Sequence, residues 1–500
     1  MKLIIKNYKK LFCMVLVIMA SSCQKLVEDP KGSLVNESFF KTEDDLSAAV
    51  TACYAPLVAD SWGAFGSTRM WIPLMGADDL TTHPAWNKAE FREFDRFVPT
   101  NLNNALMNAA WMPNYKIIQA ANNIMENYKK VSGREAFINK SVAQARFLRA
   151  FAYFWMTRVY GDLPLVTTVK TDLNIELSPV KDIYALIVED LQFAKANLPA
   201  SWPGEPGRPN LWTAKSLLAS VYLTMGGWPL KDVSKYALAA AEAKEVIENG
   251  PYTLLPNFAD LWLMSNDNNN EFIWTIQMIG LAGDPQLGTI VGWTTMPDEE
   301  GGWDDVFFEL GFYNRFPAGP RKDATFHTKF QSRPGQPIID FSKSLMKHPF
   351  IAKYRDGALP WLPSYDHEYV NGRNVNYLRF AEILLCYAEA QAMADGTPNS
   401  FAYQCVNRVM NRAGLPDLTP GLGKIPFRDA VVAERGWELA AEYSRWFDLI
   451  RTEKVEEMAA LKDPLDLTPL ASPSKAIYHA PIPNNEVALN PNLGKGTKYK

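Results

Sequence analysis

Cysteine and histidine are both scarce in this chain, five of each in 500 residues. Cys13 falls inside an apolar leader and Cys23 directly after it, which leaves Cys53, Cys386 and Cys405 for the body. An odd remainder with no CxxC spacing excludes a disulfide framework, and no histidine cluster completes a structural zinc site. Cys386 in LLCYAEA and Cys405 in YQCVNRV read as small buried hydrophobes. The histidines (83, 327, 348, 367 and 479) are scattered and form no HExxH, so neither metal catalysis nor a cofactor is expected. Asn266-Asp267-Asn268 lacks EF-hand spacing. No block of basic residues occurs, and the formal charge of −4 argues against a nucleic-acid partner. Beyond the leader, no apolar run approaches the length of a transmembrane helix.

The leader itself is informative. Lys2, Lys6, Lys9 and Lys10 precede the apolar stretch Leu11–Ala20, then the small residues Ser21 and Ser22, then Cys23. Charge, grease and small residues in that order predict a signal peptide over residues 1–22. A cysteine right after the small residues predicts cleavage before it and lipidation of its thiol, as in bacterial lipoproteins. Loss of the four lysines moves the formal charge from −4 to −8. The remaining composition, 47% hydrophobic and 21% charged over the whole chain, is that of an ordinary globular protein.

Thr42 stands as a predicted N-cap before EDDLSAAVTACYAPL. Residues 60–112 are rich in Gly, Pro, Asn and aromatics and read as loop with short helices. Helical periodicity then predicts four pairs: 114–130 with 138–160, 180–197 with 213–225, 235–249 with 378–394, and 401–413 with 427–451. The expected fold is therefore mainly α, a tetratricopeptide-like scaffold of helical pairs, each burying its apolar face against its neighbours. A long loop-rich insertion with short strands, about 251–376, interrupts the third pair. It opens on EFIWTIQMI, whose residues alternate as a strand's should. Function is expected in such loops rather than on the helices.

Seven blocks, in order, resemble the SusD/RagB family of outer-membrane nutrient-binding lipoproteins. They are the tether CQKLVEDPKG, WMPNYKIIQAANNIME (111–126), VAQARFLRAFAYFWMTRVYGDLPLVT (142–167), NNNEFIWTIQ (268–277), YLRFAEILLCYAEAQA (377–392), AERGWELAAEYSRWFDLIR (433–451) and APIPNNEVALNPNL (480–493). The resemblance covers nearly everything from Cys23 onward and implies a single SusD-like domain over 23–500. It implies a helical scaffold at about 113–250 and 377–451, with variable ligand-binding regions at about 60–112 and 251–376. It also implies a SusC-like TonB-dependent barrel as partner, in the outer membrane, with the lipid anchor holding the protein at the cell surface. The implied activity is capture of oligosaccharide or glycan without cleavage. A peptide-capturing relative, a lipid-anchored glycoside hydrolase and a scaffold for protein partners are the alternatives.

A sugar offers an apolar C–H face and a rim of hydroxyls, so an exposed ring beside amides or carboxylates suits it. Trp86, between Pro84 and Asn87, and Trp293 and Trp303, each beside glycine, are the preferred rings. Asp78, Asp79, Tyr313 and Arg315 are the polar or aromatic candidates around them; Trp71 and Trp361 rank lower. The doublets Glu299-Glu300 and Asp304-Asp305 read first as turn residues and second as hydroxyl acceptors. Arg146, Arg149 and Arg158 are expected to pair with acids of neighbouring helices. Glu434, Glu438 and Glu442, at i, i+4 and i+8, share a helix face at glycosidase-like spacing. Arg428, Arg435, Arg445 and Arg451 lie close by in sequence. Ion pairs to them would depress the carboxyl pKa values, the opposite of a general acid's need. No residue is assigned a catalytic role.

Overall fold

The computed structural model describes residues 39–58, 64–100, 102, 107–170, 172–279, 288–332, 335–355 and 372–495, except for the Trp86 side chain. The leader, Cys23 and Trp361 lie outside the described residues. Helix α1 (Glu43–Tyr54) starts on a capping box: Thr42 Oγ1 accepts the Asp45 N–H at 3.2 Å and Asp45 Oδ2 accepts the Thr42 N–H at 2.8 Å. Eight long helices follow: α2 (Met112–Asn127), α3 (Glu135–Tyr160), α4 (Val180–Asn197), α5 (Leu211–Gly226), α6 (Lys235–Asn249), α7 (Phe380–Asp395), α8 (Ser400–Arg412) and α9 (Lys424–Glu438). Each packs on the next, α2 on α3 through α6 on α7, so the predicted mainly α scaffold of stacked pairs is present. α3 is the spine, with nearly every residue from Ser141 to Tyr160 buried. It stops at Gly161, whose φ of +79° suits glycine and whose missing Cβ leaves room for the His479 ring. The next residue, Asp162, accepts the first N–H of α4, that of Val180, at 2.9 Å.

The insertion opens on β1 (Phe272–Ile276) and closes on β2 (Val375–Arg379), an antiparallel pair in which Ile276 faces Val375 and Phe272 faces Arg379. All of β1 is buried, on both faces rather than one. Trp274 packs edge-on against Phe147 and Phe151 of α3, and Thr275 Oγ1 turns to Asn268 at 2.9 Å.

The last predicted helix, 427–451, is broken. It ends at Glu438 and resumes as α10 (Arg445–Arg451), with Ala441 (φ 59°) and Tyr443 (φ 66°) left-handed between them. Side chains take the backbone groups that the helix gives up. Lys353 Nζ and Arg379 Nη2 donate to the Glu438 carbonyl at 3.1 and 3.0 Å, and the Tyr354 hydroxyl donates to that of Ala441 at 2.7 Å. Glu434, Glu438 and Glu442 are all buried, with partners other than the nearby arginines. Arg321 binds Glu434 and Glu438; Arg379 binds Glu271, Glu438 and Glu442; Arg412 binds Glu271 and Glu438; Lys353 binds Glu442. Burial opposes ionisation of Glu438, but Arg412, Arg379 and Arg321 outweigh it and hold the carboxyl well below its usual range. For Glu434 burial wins and the carboxyl is raised, contrary to the expectation for this face. Arg435, Arg445 and Arg451 instead serve Asp448, Asp78 and Glu389.

Two of the three α3 arginines pair as expected, Arg149 bidentately with Asp190 at 2.7 and 2.8 Å and Arg146 with Glu189 at 3.2 Å. Arg158 differs: it sits over the Phe154 and Phe447 rings and donates to the Tyr377 hydroxyl at 2.7 Å.

Candidate functional site: an aromatic cleft between two loop regions

The loops of 64–100 and the insertion are stitched into one wall. Leu80–Thr81 pairs antiparallel with Phe307–Phe308, Thr82 Oγ1 donates to the Asp305 carbonyl at 2.6 Å, and the Ile290 N–H donates to the Gly66 carbonyl at 2.8 Å. Lys88 closes the seam with an ion pair to Asp305. Between the two segments opens a cleft of about 640 Å³, with His83, Asn87 and Lys88 on one side and Trp303, Asp304 and Asp305 on the other.

Trp303 is presented by its own loop. The N–H groups of Trp303, Asp304 and Asp305 donate to the carbonyls of Trp293, Met296 and Thr294, laying the segment against the short helix Val291–Thr294. Gly302 makes this close approach possible, since a Cβ there would stand 2.1 Å from the Met296 oxygen. The result is a ring 39% exposed, backed edge-to-face by the buried Trp293 at 6.5 Å between centroids.

Polar groups rim the ring. Asp304 is buried but lines the cleft; its Oδ1 accepts the Asp298 N–H at 2.7 Å. Burial, with the charges of Glu299 and Asp298, pushes its carboxyl up to about 7. Asp305 is likewise raised by burial, against the pull of Lys88. His83 Nδ1 accepts the Ala85 N–H at 2.7 Å, and burial together with Lys88 and Arg92 lowers its pKa. An apolar face beside acceptors and donors is the chemistry of pyranose recognition. Among the described residues, no group of three His, Cys, Asp or Glu is placed to hold a metal.

The candidate residues divide sharply. Trp303 is in the cleft, Trp293 directly behind it, and the Trp86–Lys88 turn contributes Asn87 and Lys88 to the opposite wall. Asp78, Asp79, Tyr313 and Arg315, expected beside those rings, do not line this cleft. Asp78 is buried on Arg445 (2.6 Å) and Arg315 (2.9 Å), and Asp79 on the Ala441 N–H (3.2 Å). Arg315 also donates to the Leu461 carbonyl at 2.9 Å, while Tyr313 packs on Phe326 and Phe341 beneath Lys322. Arg69, His83 and Lys88 escaped sequence reasoning. Their only signal was proximity to Trp71 and Trp86 in an aromatic loop. A second concavity of about 490 Å³, lined by Trp111, Leu173 and Leu489 among others, is mostly apolar, with Lys116, Gln119, Asp172, Glu486 and Asn490 also in its lining. Among the described residues, no helix is long and apolar enough to cross a membrane.

Comparison with known proteins agrees with this architecture. Residues 345–499 match the profile of the SusD family, and residues 75–223 a profile described as starch-binding associating with outer membrane. SusD-like protein P2 of Formosa agariphila is 30% identical over 98% of both chains. A SusD superfamily protein from Parabacteroides distasonis superimposes with a TM-score of 0.78 at 24% identity, over 92% of this chain and 98% of its own. Surface glycan-binding protein A from Bacteroides thetaiotaomicron, in complex with laminarihexaose, does so at 0.74 and 22%, over 90% and 98%. With its helical pairs, its two-loop cleft and a full-length relative at this identity, the chain belongs to the SusD/RagB family.

Proposed function

We propose that the protein captures oligosaccharide in the Trp303 cleft at the cell surface and passes it, uncut, to a SusC-like TonB-dependent barrel in the outer membrane. The observation that carries this reading is the exposed Trp303 ring in a cleft rimmed by carboxylates, an amide and a lysine. A flat ring stacks on a sugar's C–H face while the rim takes its hydroxyls. A neighbour of the same fold, in complex with laminarihexaose, supports a glycan as the ligand class. Glu434 and Glu438, at glycosidase-like spacing, are committed to guanidinium groups, which argues against them as a catalytic pair. Lipid on Cys23 would hold the receptor at high effective concentration beside its barrel, so binding need not be tight.

The test is affinity electrophoresis of wild-type and Trp303→Ala protein in gels containing glucans, xylans, mannans and other polysaccharides. Retardation of the wild type by at least one glycan, weakened at least about tenfold by the substitution, is expected. No retardation by any glycan would sink the reading, and release of reducing sugar by the pure protein would sink its non-catalytic part. Co-purification of a TonB-dependent barrel with the tagged protein from its native membrane tests the transfer step.

A further inference from the structure

The charge of the cleft, more than its shape, narrows the ligand. Its charged lining comprises Arg69 and Lys88 against Glu90, Asp298, Asp304 and Asp305. Lys88 is committed to Asp305, and the Arg69 charge also acts on that carboxylate. The groups nearest Trp303 in the chain are therefore acidic: Asp298 is exposed, and Glu299 sits beside it with Oε1 accepting the Leu345 N–H at 2.7 Å. Asp304 points to a ligand independently of this tally. Its side chain is 97% buried by its 3% relative exposure, yet it lines the cleft, and its Oδ2 makes no hydrogen bond to any described residue. A carboxyl oxygen left open at a cleft wall is a ready partner for a hydroxyl or an amine.

We propose that the cleft takes neutral or amine-bearing oligosaccharides and excludes those carrying uronate or sulfate groups, with Asp298, Glu299 and Asp304 as the residues that enforce the choice. This rests on the reading of the cleft as a glycan site and adds the ligand's charge to it. Asp304 offers a hydroxyl or an amine an acceptor by contact, while Asp298 and Glu299 repel anions from the rim, by field. Among the described residues the acids of the lining outnumber Arg69 and Lys88, and Lys88 is already paired to Asp305. An anionic sugar stacked on Trp303 therefore meets a net negative field, which weakens binding by about tenfold or more.

The experiment is a glycan array of neutral, amine-bearing, uronate and sulfated oligosaccharides, probed in EDTA so that no divalent cation bridges two anions. Wild type, Trp303→Ala and Asp298→Lys proteins are compared; Asp298 is exposed, so its reversal leaves the fold intact. Binding confined to neutral and amine-bearing probes, lost in Trp303→Ala, is expected. Asp298→Lys should weaken amine-bearing probes at least about threefold more than it weakens neutral ones. Trp303-dependent binding of a uronate or sulfated probe as tight as its neutral counterpart overturns the proposal while leaving the glycan reading in place. Binding of no probe of any class overturns the glycan reading itself, and this proposal with it.

Discussion

The carboxylate of Asp79 accepts a hydrogen bond from the backbone N–H of Ala441 at 3.2 Å, although 362 residues separate the two. Its neighbour Asp78 grips Arg445, the first residue of α10. The first loop region thus pins the left-handed break after α9, and the cleft above it shares a foundation with the buried ion network below.

That foundation is sensitive to pH. Burial and the adjacent Asp78 charge push Asp79 up to about 6, above an ordinary aspartate. A group raised in this way contributes its full stability below its unfolded pKa of about 4 and loses it as pH rises through the folded value. Asp79→Asn keeps an oxygen for the Ala441 N–H and never ionises. It should match the wild type near pH 4 and exceed it by about 3 kcal/mol at most above pH 7. Thermal melts across that range decide the matter; equal shifts at both ends would contradict it.

Arg379 is the hub of the buried network, donating to Glu271, Glu438 and Glu442 from a fully buried position. Arg379→Met removes one charge and leaves three carboxylates crowded together. A loss of about 3–5 kcal/mol in urea unfolding is expected. A loss below about 1 kcal/mol would mean that Arg321, Arg412 and Lys353 suffice alone.

Trp293 and Trp303 touch, yet their truncation should have opposite consequences. Trp293→Ala opens a cavity under the cleft and should cost about 3–5 kcal/mol of stability. Trp303→Ala removes a partly exposed ring and should cost about 1 kcal/mol or less while abolishing most glycan affinity. Chemical denaturation alongside binding measurements separates the two. Similar stability losses in both would show that Trp303 is structural.

Cys23→Ser tests the tether. Metabolic labelling with a radioactive or clickable fatty acid should mark the wild type and leave the variant unlabelled. The variant should also move from the membrane pellet to the supernatant on fractionation. Labelling that persists would place the lipid elsewhere.

Much of the scaffold was legible because its signals are local. Thr42 caps as its spacing promised, and α2 to α8 follow apolar periods that nearby residues enforce. The break after Glu438 was not legible, because the groups that replace its helical hydrogen bonds come from Asp79, Lys353, Tyr354 and Arg379. The site divided the same way. Trp293 and Trp303 both stand beside glycine, and only the fold decides that one is buried and the other 39% exposed. Asp78 and Asp79 look like surface acids in a polar loop, but Arg445 and Ala441 lie beyond any sequence window.

The β1–β2 ladder has a consequence for inheritance. Because Ile276 and Val375 are paired, the chain between them leaves and rejoins the scaffold at a single point. Lengthening such a loop twofold costs only about 0.6 kcal/mol in closure entropy. Its surface turns can grow, shrink or change their rings while α6 and α7 still meet beneath them, provided that Arg321 and Lys353 keep reaching back to Glu434, Glu438 and Glu442. Descendants of one ancestral frame can thereby diverge in what they recognise long before they diverge in how they fold.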